Sequence, residues 1–220
     1  MKEVTNLKLG IGFPCSWAHV PFSFFMSFVQ LERPTFIPLA ATNGPIDGLR
    51  NHIVEQAFQA GCSHLIMMDL DQIYPVETIT KLLSHRLPVV GCLIHRRYPP
   101  FDPLIVRGEI NRYETINDWN DGDLVEVDAT GTGCLMFDMR IFETLKPPWF
   151  RFRPNPDPSK GGVVGEDFGL CSDLKAAGYK IFVDTSIKCG HLSNMVVTEE
   201  LWRLYKKLDE VRLKQNNMKE

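Results

Sequence analysis

A chain of 220 residues that is 44% hydrophobic can bury a sizeable core, as one domain or two closely fused lobes. Its net charge of -3 argues against nucleic acid as the main partner, with His95-Arg96-Arg97 left as a local basic patch. The longest apolar-rich segment, Val20 to Val29, is too short to span a bilayer and no secretory signal is evident, so a soluble cytoplasmic protein is expected.

Leu7 to Phe13 is a short apolar run ending in Pro14-Cys15-Ser16, which predicts a first strand and turn. Phe22 to Leu31 has helical length and is apolar on nearly every side, so it predicts a buried helix. Phe36 to Ala41 reads as a second strand, and Asn43-Gly44-Pro45 breaks the chain. Ile46, Leu49, Ile53 and Ala57 then recur at helical spacing, with Gly61 as the stop. A strand over Leu65 to Met68, a helix near Val76 to Ser84 opened by Pro75, and a strand over Pro88 to Ile94 follow. That alternation predicts an α/β fold with a mostly parallel central sheet flanked by helices.

The second half is less regular. Arg96 to Asn120 predicts a hairpin, Leu124 to Val127 and Gly133 to Phe137 predict strands, and Arg140 to Leu145 a short helix. Lys146 to Gly162, rich in proline and glycine, predicts a mobile loop. Glu166 to Ala177 is a helix stopped by Gly178, and Lys180 to Val183 a short strand. Leu201, Leu204, Tyr205, Leu208 and Val211 form one stripe on a C-terminal helix, expected to pack on its own domain, although a subunit or membrane face is another use for it. The six cysteines are widely spread without a C-x-x-C pair, which predicts reduced core residues rather than a disulfide framework or zinc site.

Chemistry concentrates where Leu65-Ile66-Met67-Met68 runs into Asp69-Leu70-Asp71. The carboxylates fall at or just past the C-terminal end of a buried strand, the edge at which open α/β sheets bind ligands. Crowded there, they suit a divalent cation held by oxygen ligands, Mg2+ or Mn2+, or are two acidic residues of a solvated loop. Three further features join them. Gly131-Thr132-Gly133-Cys134 is a small-residue loop that lets a ligand approach the backbone, or an ordinary tight turn. Gly165-Glu166-Asp167 opens a helix, where acidic residues suit the dipole and where a carboxylate can also serve as general base. His191, in Cys189-Gly190-His191, is a nitrogen ligand for a Mn2+-type site or a structural histidine.

The order of these four features resembles the GT-A nucleotide-sugar glycosyltransferases, family 2-like members in particular. These carry an Asp-x-Asp metal motif, a glycine-containing loop, a Glu-Asp pair opening a helix, and a C-terminal metal-binding His. Thr130 to Phe142 is similar to the family's acceptor-side strand and helix, and Gly165 to Tyr179 to its Glu-Asp helix. The resemblance spans about residues 7 to 192. The glycine-rich Leu9-Gly-Ile-Gly-Phe-Pro-Cys15 departs from the pattern, since no acidic residue follows soon after to hold a base.

The resemblance implies a single GT-A (Rossmann-like) domain over 1–220, with a small antiparallel acceptor-side element. Its nucleotide-binding half would be about 1–94, its acceptor-side half about 95–197, and its C-terminal helix 198–220. It implies metal-dependent transfer of a sugar from a UDP- or GDP-sugar to a hydroxyl acceptor, with inversion expected and retention open. Asp71 and His191 would hold the metal, with Asp69 supporting it or contacting ribose and sugar. Asp167 would be the base, and Glu166 would bind donor sugar or acceptor. Gly131 and Gly133 would face the donor, and Arg50, which opens a helix beside the same sheet edge, would help hold it or be a solvated helix residue. Trp149, Phe150 and Phe152 sit in a loop that would serve as a lid, the first two alternatively as core anchors. A homo-oligomer stays open, and stable nucleic-acid binding is not expected.

Other readings compete. A catalytically silent nucleotide- or sugar-binding scaffold would keep this fold. A haloacid-dehalogenase-like phosphatase also sets Asp-x-Asp after an apolar strand, but wants Thr or Val where Ile73 stands. A nucleotidyltransferase needs a basic phosphate loop after the first strand, and Gly10 to Trp17 has no Lys or Arg.

Overall fold

The computed structural model describes residues 7–16, 19–157, 159, 162–194 and 198–217, with 209–217 as backbone alone. Trp17, and residues 158, 160 and 161 of the proline-rich loop, lie outside the described residues. The first half runs β1 (Leu9–Cys15), α1 (Phe22–Val29), β2 (Phe36–Thr42), α2 (Ile46–Gln59), β3 (His64–Met68), β4 (Gln72–Ile73), α3 (Thr78–His85) and β5 (Val89–Leu93). Next come β6 (Ile105–Arg107), β7 (Glu114–Thr115), β8 (Leu124–Val127), β9 (Ala129–Thr130), β10 (Cys134–Asp138) and α4 (Arg140–Thr144). The chain ends with β11 (Arg153–Pro154), β12 (Val163–Val164), α5 (Glu166–Ala176), β13 (Ile181–Lys188), β14 (Gly190–His191) and α6 (Glu199–Asn217).

Seven strands form one sheet in the order β2-β1-β3-β10-β5-β13-β8. β1 is parallel to β2 and β3, and β5 to β13, whereas β10 and β8 are antiparallel to their neighbours. The predicted mostly parallel sheet is therefore present, with an opposed strand, β10, at its centre. The predicted hairpin in 96–120 is β6 with β7, and β9 extends it into a small antiparallel sheet.

Both faces of the main sheet are covered, which is why its strands read as unbroken apolar runs. Leu65 and Met67 pack with Leu49, Ile53 and Val54 of α2 and with Leu170 and Leu174 of α5. Ile66 and Met68 face the other way, onto Phe24 of α1 and Ile79 and Leu82 of α3. Each such side chain, fully buried, stabilises the fold by about 1.5–3 kcal/mol. The glycines of β1 have a packing reason. A Cβ on Gly12 would lie 2.4 Å from Cγ2 of Ile53, so the bare backbone lets α2 lie close on the sheet.

Two sequence expectations are corrected. α1 is a surface helix: Phe24 and Ser27 are buried, but Phe22 is 76% exposed and Phe25, Met26 and Val29 are exposed as well. A helix laid on one sheet face buries a single stripe, whatever its remaining composition. On α6, Leu204, Tyr205 and Leu208 of the stripe are more than half exposed and Leu201 is half-buried, so most of the described stripe does not pack on its own domain; the Val211 side chain lies outside the described set.

The start of the 146–162 loop is anchored rather than free. Trp149 and Phe150 are buried, and the Asn51 side chain on α2 accepts from both of their N–H groups and donates to the Phe150 carbonyl at 2.6 Å. β11 pairs with β12 to close the loop, leaving Phe152 exposed.

Candidate active site

The C-terminal ends of β1 and β3 and the N-terminal turns of α2 and α5 meet at one edge of the sheet. They enclose a cavity of about 390 Å³ lined by Pro14, Ser16, Ile46, Arg50, Asp69, Leu70, Asp71, Arg97, Glu166 and Asp167. Three sequence-predicted elements, the Asp-x-Asp motif, Arg50 and the Glu-Asp pair, thus line one cleft. Four carboxylates there face two guanidiniums, a formal surplus of two negative charges when all are ionised.

Arg50 is the hub on the α2 side. Its Nη2 donates to both Asp69 oxygens at 3.0 and 3.1 Å, and its Nε donates to Glu166 Oε1 at 3.1 Å. Burial works against the Arg50 charge, yet Asp69 and Glu166 hold its pKa above the ordinary value. Nη1 of Arg50 is buried without a hydrogen-bond partner among the described residues, and the guanidinium lies 5.9 Å from the Phe150 ring centroid.

Asp71 faces a different set of partners. The two-residue pairing of β14 with β4 sets His191 opposite Gln72, and the Leu192 N–H donates to the Asp71 carbonyl at 2.7 Å. This carries His191 Nε2 to 3.4 Å from Asp71 Oδ2, while Arg97 Nη1 donates to the same oxygen at 2.8 Å. Burial pushes the Asp71 carboxyl up, but the His191 and Arg97 interactions outweigh it and hold the group below the usual range. His191 Nδ1 sits 2.7 Å from the His95 carbonyl, which can only accept, so Nδ1 carries a proton. Nε2 of the neutral ring is then a lone pair aimed at a carboxylate oxygen. Two acceptors so close need a proton or a cation between them, and a ring fixed through its other nitrogen is the usual state of a metal-binding histidine. The hydrogen bond to Asp71 accordingly raises the His191 pKa against its burial. Asp71 and His191 fit a divalent ion. Asp69 is turned to Arg50, and no group of three that includes it lies within ligand reach among the described residues.

Asp167 opens α5 one residue beyond Glu166. Burial, then the Glu166 charge, push its carboxyl up to about 6, against the Phe168 N–H, which donates to Oδ1 at 2.7 Å. A carboxylate of that pKa is suited to accept a proton near neutral pH.

Of the two loop glycines, Gly131 has the more open surroundings. A Cβ there would meet Leu104 Cδ1 at 3.3 Å and Asp167 Oδ2 at 4.0 Å. A Cβ on Gly133 would lie 2.0 Å from Gln72 Nε2 and 2.9 Å from Asp69 Oδ2. Gly133 therefore lets the loop close onto the Asp-x-Asp segment. The Asp69 N–H donates to the Gly133 carbonyl at 2.9 Å, and the Tyr74 hydroxyl lies within 2.8 Å of the Asp69 and Gly133 carbonyls. Tyr74 escapes sequence reasoning; the signal it offers is an aromatic with a polar tip three residues past Asp71. Ser16 and Ile46 escape it too, as neither residue type carries a chemical signature.

No family model and no curated protein matches the sequence. Solved structures do match in fold. A197 from STIV superposes with a TM-score of 0.57 at 16% identity, covering 87% of this chain and 97% of that one. GalNAc-T7, solved with UDP, GalNAc and Mn2+, gives 0.53 at 12% identity over 86% of this chain, and S. aureus TarS gives 0.50 at 12% over 82%. This chain spans 44% of the GalNAc-T7 chain and 36% of the TarS chain. At these identities the similarity is one of fold, and that fold is the GT-A glycosyltransferase fold.

Proposed function

We propose that the protein transfers a sugar from a nucleoside-diphosphate donor, UDP- or GDP-linked, to a hydroxyl acceptor, with inversion and with Mn2+ or Mg2+ as cofactor. The reading rests on the approach of His191 to Asp71, a lining residue of an acid-rich cleft that also holds the Glu166-Asp167 pair. A cleft with two surplus negative charges repels a diphosphate until a divalent ion offsets them. GalNAc-T7, of the same fold, was solved with such an ion.

In this account Asp71 and His191 would hold the ion, which when bound would supply charge stabilisation for the leaving diphosphate. Arg97, which lines the same cleft, is the cation placed to contact the donor phosphates. Asp69, oriented by Arg50, contacts ribose or sugar, and Glu166 contacts donor sugar or acceptor from the other end of the same guanidinium. Asp167 removes the acceptor hydroxyl proton as that oxygen attacks the anomeric carbon, and the bond to the diphosphate breaks. Gly131 lies beside the base and leaves space for the acceptor. Gly133 acts through Asp69. Residues up to about 94 form the donor half of one catalytic domain, and about 95–197 form the acceptor half.

The test is release of nucleoside diphosphate from UDP- and GDP-sugars, with and without Mn2+. Release from one donor, dependent on Mn2+ and reduced about 10²-fold or more in Asp167→Asn, is the expected result. Nucleotide binding without release from any donor would leave a silent scaffold in place of an enzyme.

A further inference from the structure

Cys92 on β5, Cys134 on β10 and Cys189 between β13 and β14 bring their sulfur atoms within 4.8 Å of one another, all three buried. Nothing in their spacing along the chain announces this. The antiparallel register that sets Leu135 against Gly91 puts Cys134 across from Cys92, with Sγ–Sγ at 2.9 Å. The third thiol is fixed by the Cys189 N–H, which donates to the Leu93 carbonyl at 3.0 Å. The other buried cysteines behave differently: Cys171 donates to the Thr130 carbonyl, and neither it nor Cys62 joins a group of potential ligands among the described residues.

We propose that Cys92, Cys134 and Cys189 form a soft-metal site that binds one thiophilic divalent cation of the Zn2+ class, separate from the Asp71–His191 pair. A disulfide would use two of the sulfurs and strand the third, whereas a cation bonded to sulfur at about 2.3 Å would engage all three once the Cys92 and Cys134 sulfurs part to about 3.8 Å. Binding releases three thiol protons to solvent and leaves one net negative charge. A monovalent ion would leave two, the costlier state in apolar surroundings. The bound ion would tie β5 and β10 to the link that carries His191. Cys134 follows Gly133, which holds Asp69, so the ion would brace the back wall of the cleft.

The reduced full chain, loaded with Zn2+ and desalted, is measured by elemental analysis and by X-ray absorption at the zinc edge. Cd2+ is titrated in parallel to follow thiolate-to-metal charge-transfer absorption. One retained equivalent with three sulfur neighbours at about 2.3 Å is expected. The charge-transfer band should be lost in Cys134→Ala and Cys189→Ala and kept in Cys62→Ala and Cys171→Ala. A nitrogen and oxygen shell, or no retained equivalent, would overturn the site. The absorption spectrum of the unaltered protein decides even where a cysteine variant fails to fold. An ion held by Asp71 and His191 would show as the nitrogen and oxygen shell, which keeps the two sites distinct.

Discussion

Arg50 hydrogen-bonds Asp69 on one side and Glu166 on the other while its side chain is almost wholly out of water. Removing one partner of a buried ion pair leaves the others uncompensated, at a cost of about 3–5 kcal/mol. Arg50→Ala should lose stability on that scale in urea denaturation, and Arg50→Lys should recover only part, since an ammonium cannot fork to two carboxylates. Asp167 behaves in the opposite sense. Its carboxyl titrates near 3.9 in an unfolded chain and at about 6 here, so the folded state prefers the proton. Stability from that proton is full below about pH 4 and is lost as pH rises towards 6. Asp167→Asn cannot ionise, so it should be more stable than the parent at pH 7, by about 3 kcal/mol. The gain should vanish at pH 4, while transfer is lost at both. Denaturation at the two pH values checks the sign.

Among elements, α1 separates packed from unpacked aromatics within one turn. Phe24→Ala should cost about 3–5 kcal/mol, as for other core aromatics, whereas Phe22→Ser, at a position 76% exposed, should shift stability by less than about 0.5 kcal/mol. Thermal denaturation of the pair checks this. Gly133→Ala should displace Gln72 and Asp69, and weaken nucleotide binding at least tenfold in calorimetry if Asp69 contacts the donor.

The same elements show what was legible in the chain. β3 and its carboxylates could be read because a doubly buried strand is uninterrupted apolar sequence and its edge is abruptly polar. The start of α5 was equally plain, from Gly165 before an acidic first turn. The surface stripe of α1 was not, because an apolar residue on solvent looks like one in the core. Nor was the β4–β14 pairing: two residues to a strand leave no periodicity, and the contact joins segments more than a hundred positions apart. The juxtaposition of Cys92 and Cys134 was hidden for the same reason, because cross-strand register is set by the whole sheet.

At the scale of the molecule, nearly the whole chain is used to place one charged cleft. Both sheet faces are covered, the C-terminal edge gathers Asp69, Asp71, Glu166 and Asp167, and the small antiparallel elements bring in His191 and the loop before β10. A197 from STIV matches over 97% of its length, so a fold of this size recurs without the extra length of GalNAc-T7 or TarS. The central claim is that this cleft takes a nucleoside diphosphate through a divalent ion held by Asp71 and His191. Calorimetric titration with UDP and GDP, each with and without Mn2+, on the parent and on Asp71→Ala and His191→Ala, tests it most directly. The account predicts that one nucleotide binds, that binding needs Mn2+, and that each variant weakens it by at least tenfold. Binding of neither nucleotide, or binding indifferent to Mn2+ and to both substitutions, would contradict it.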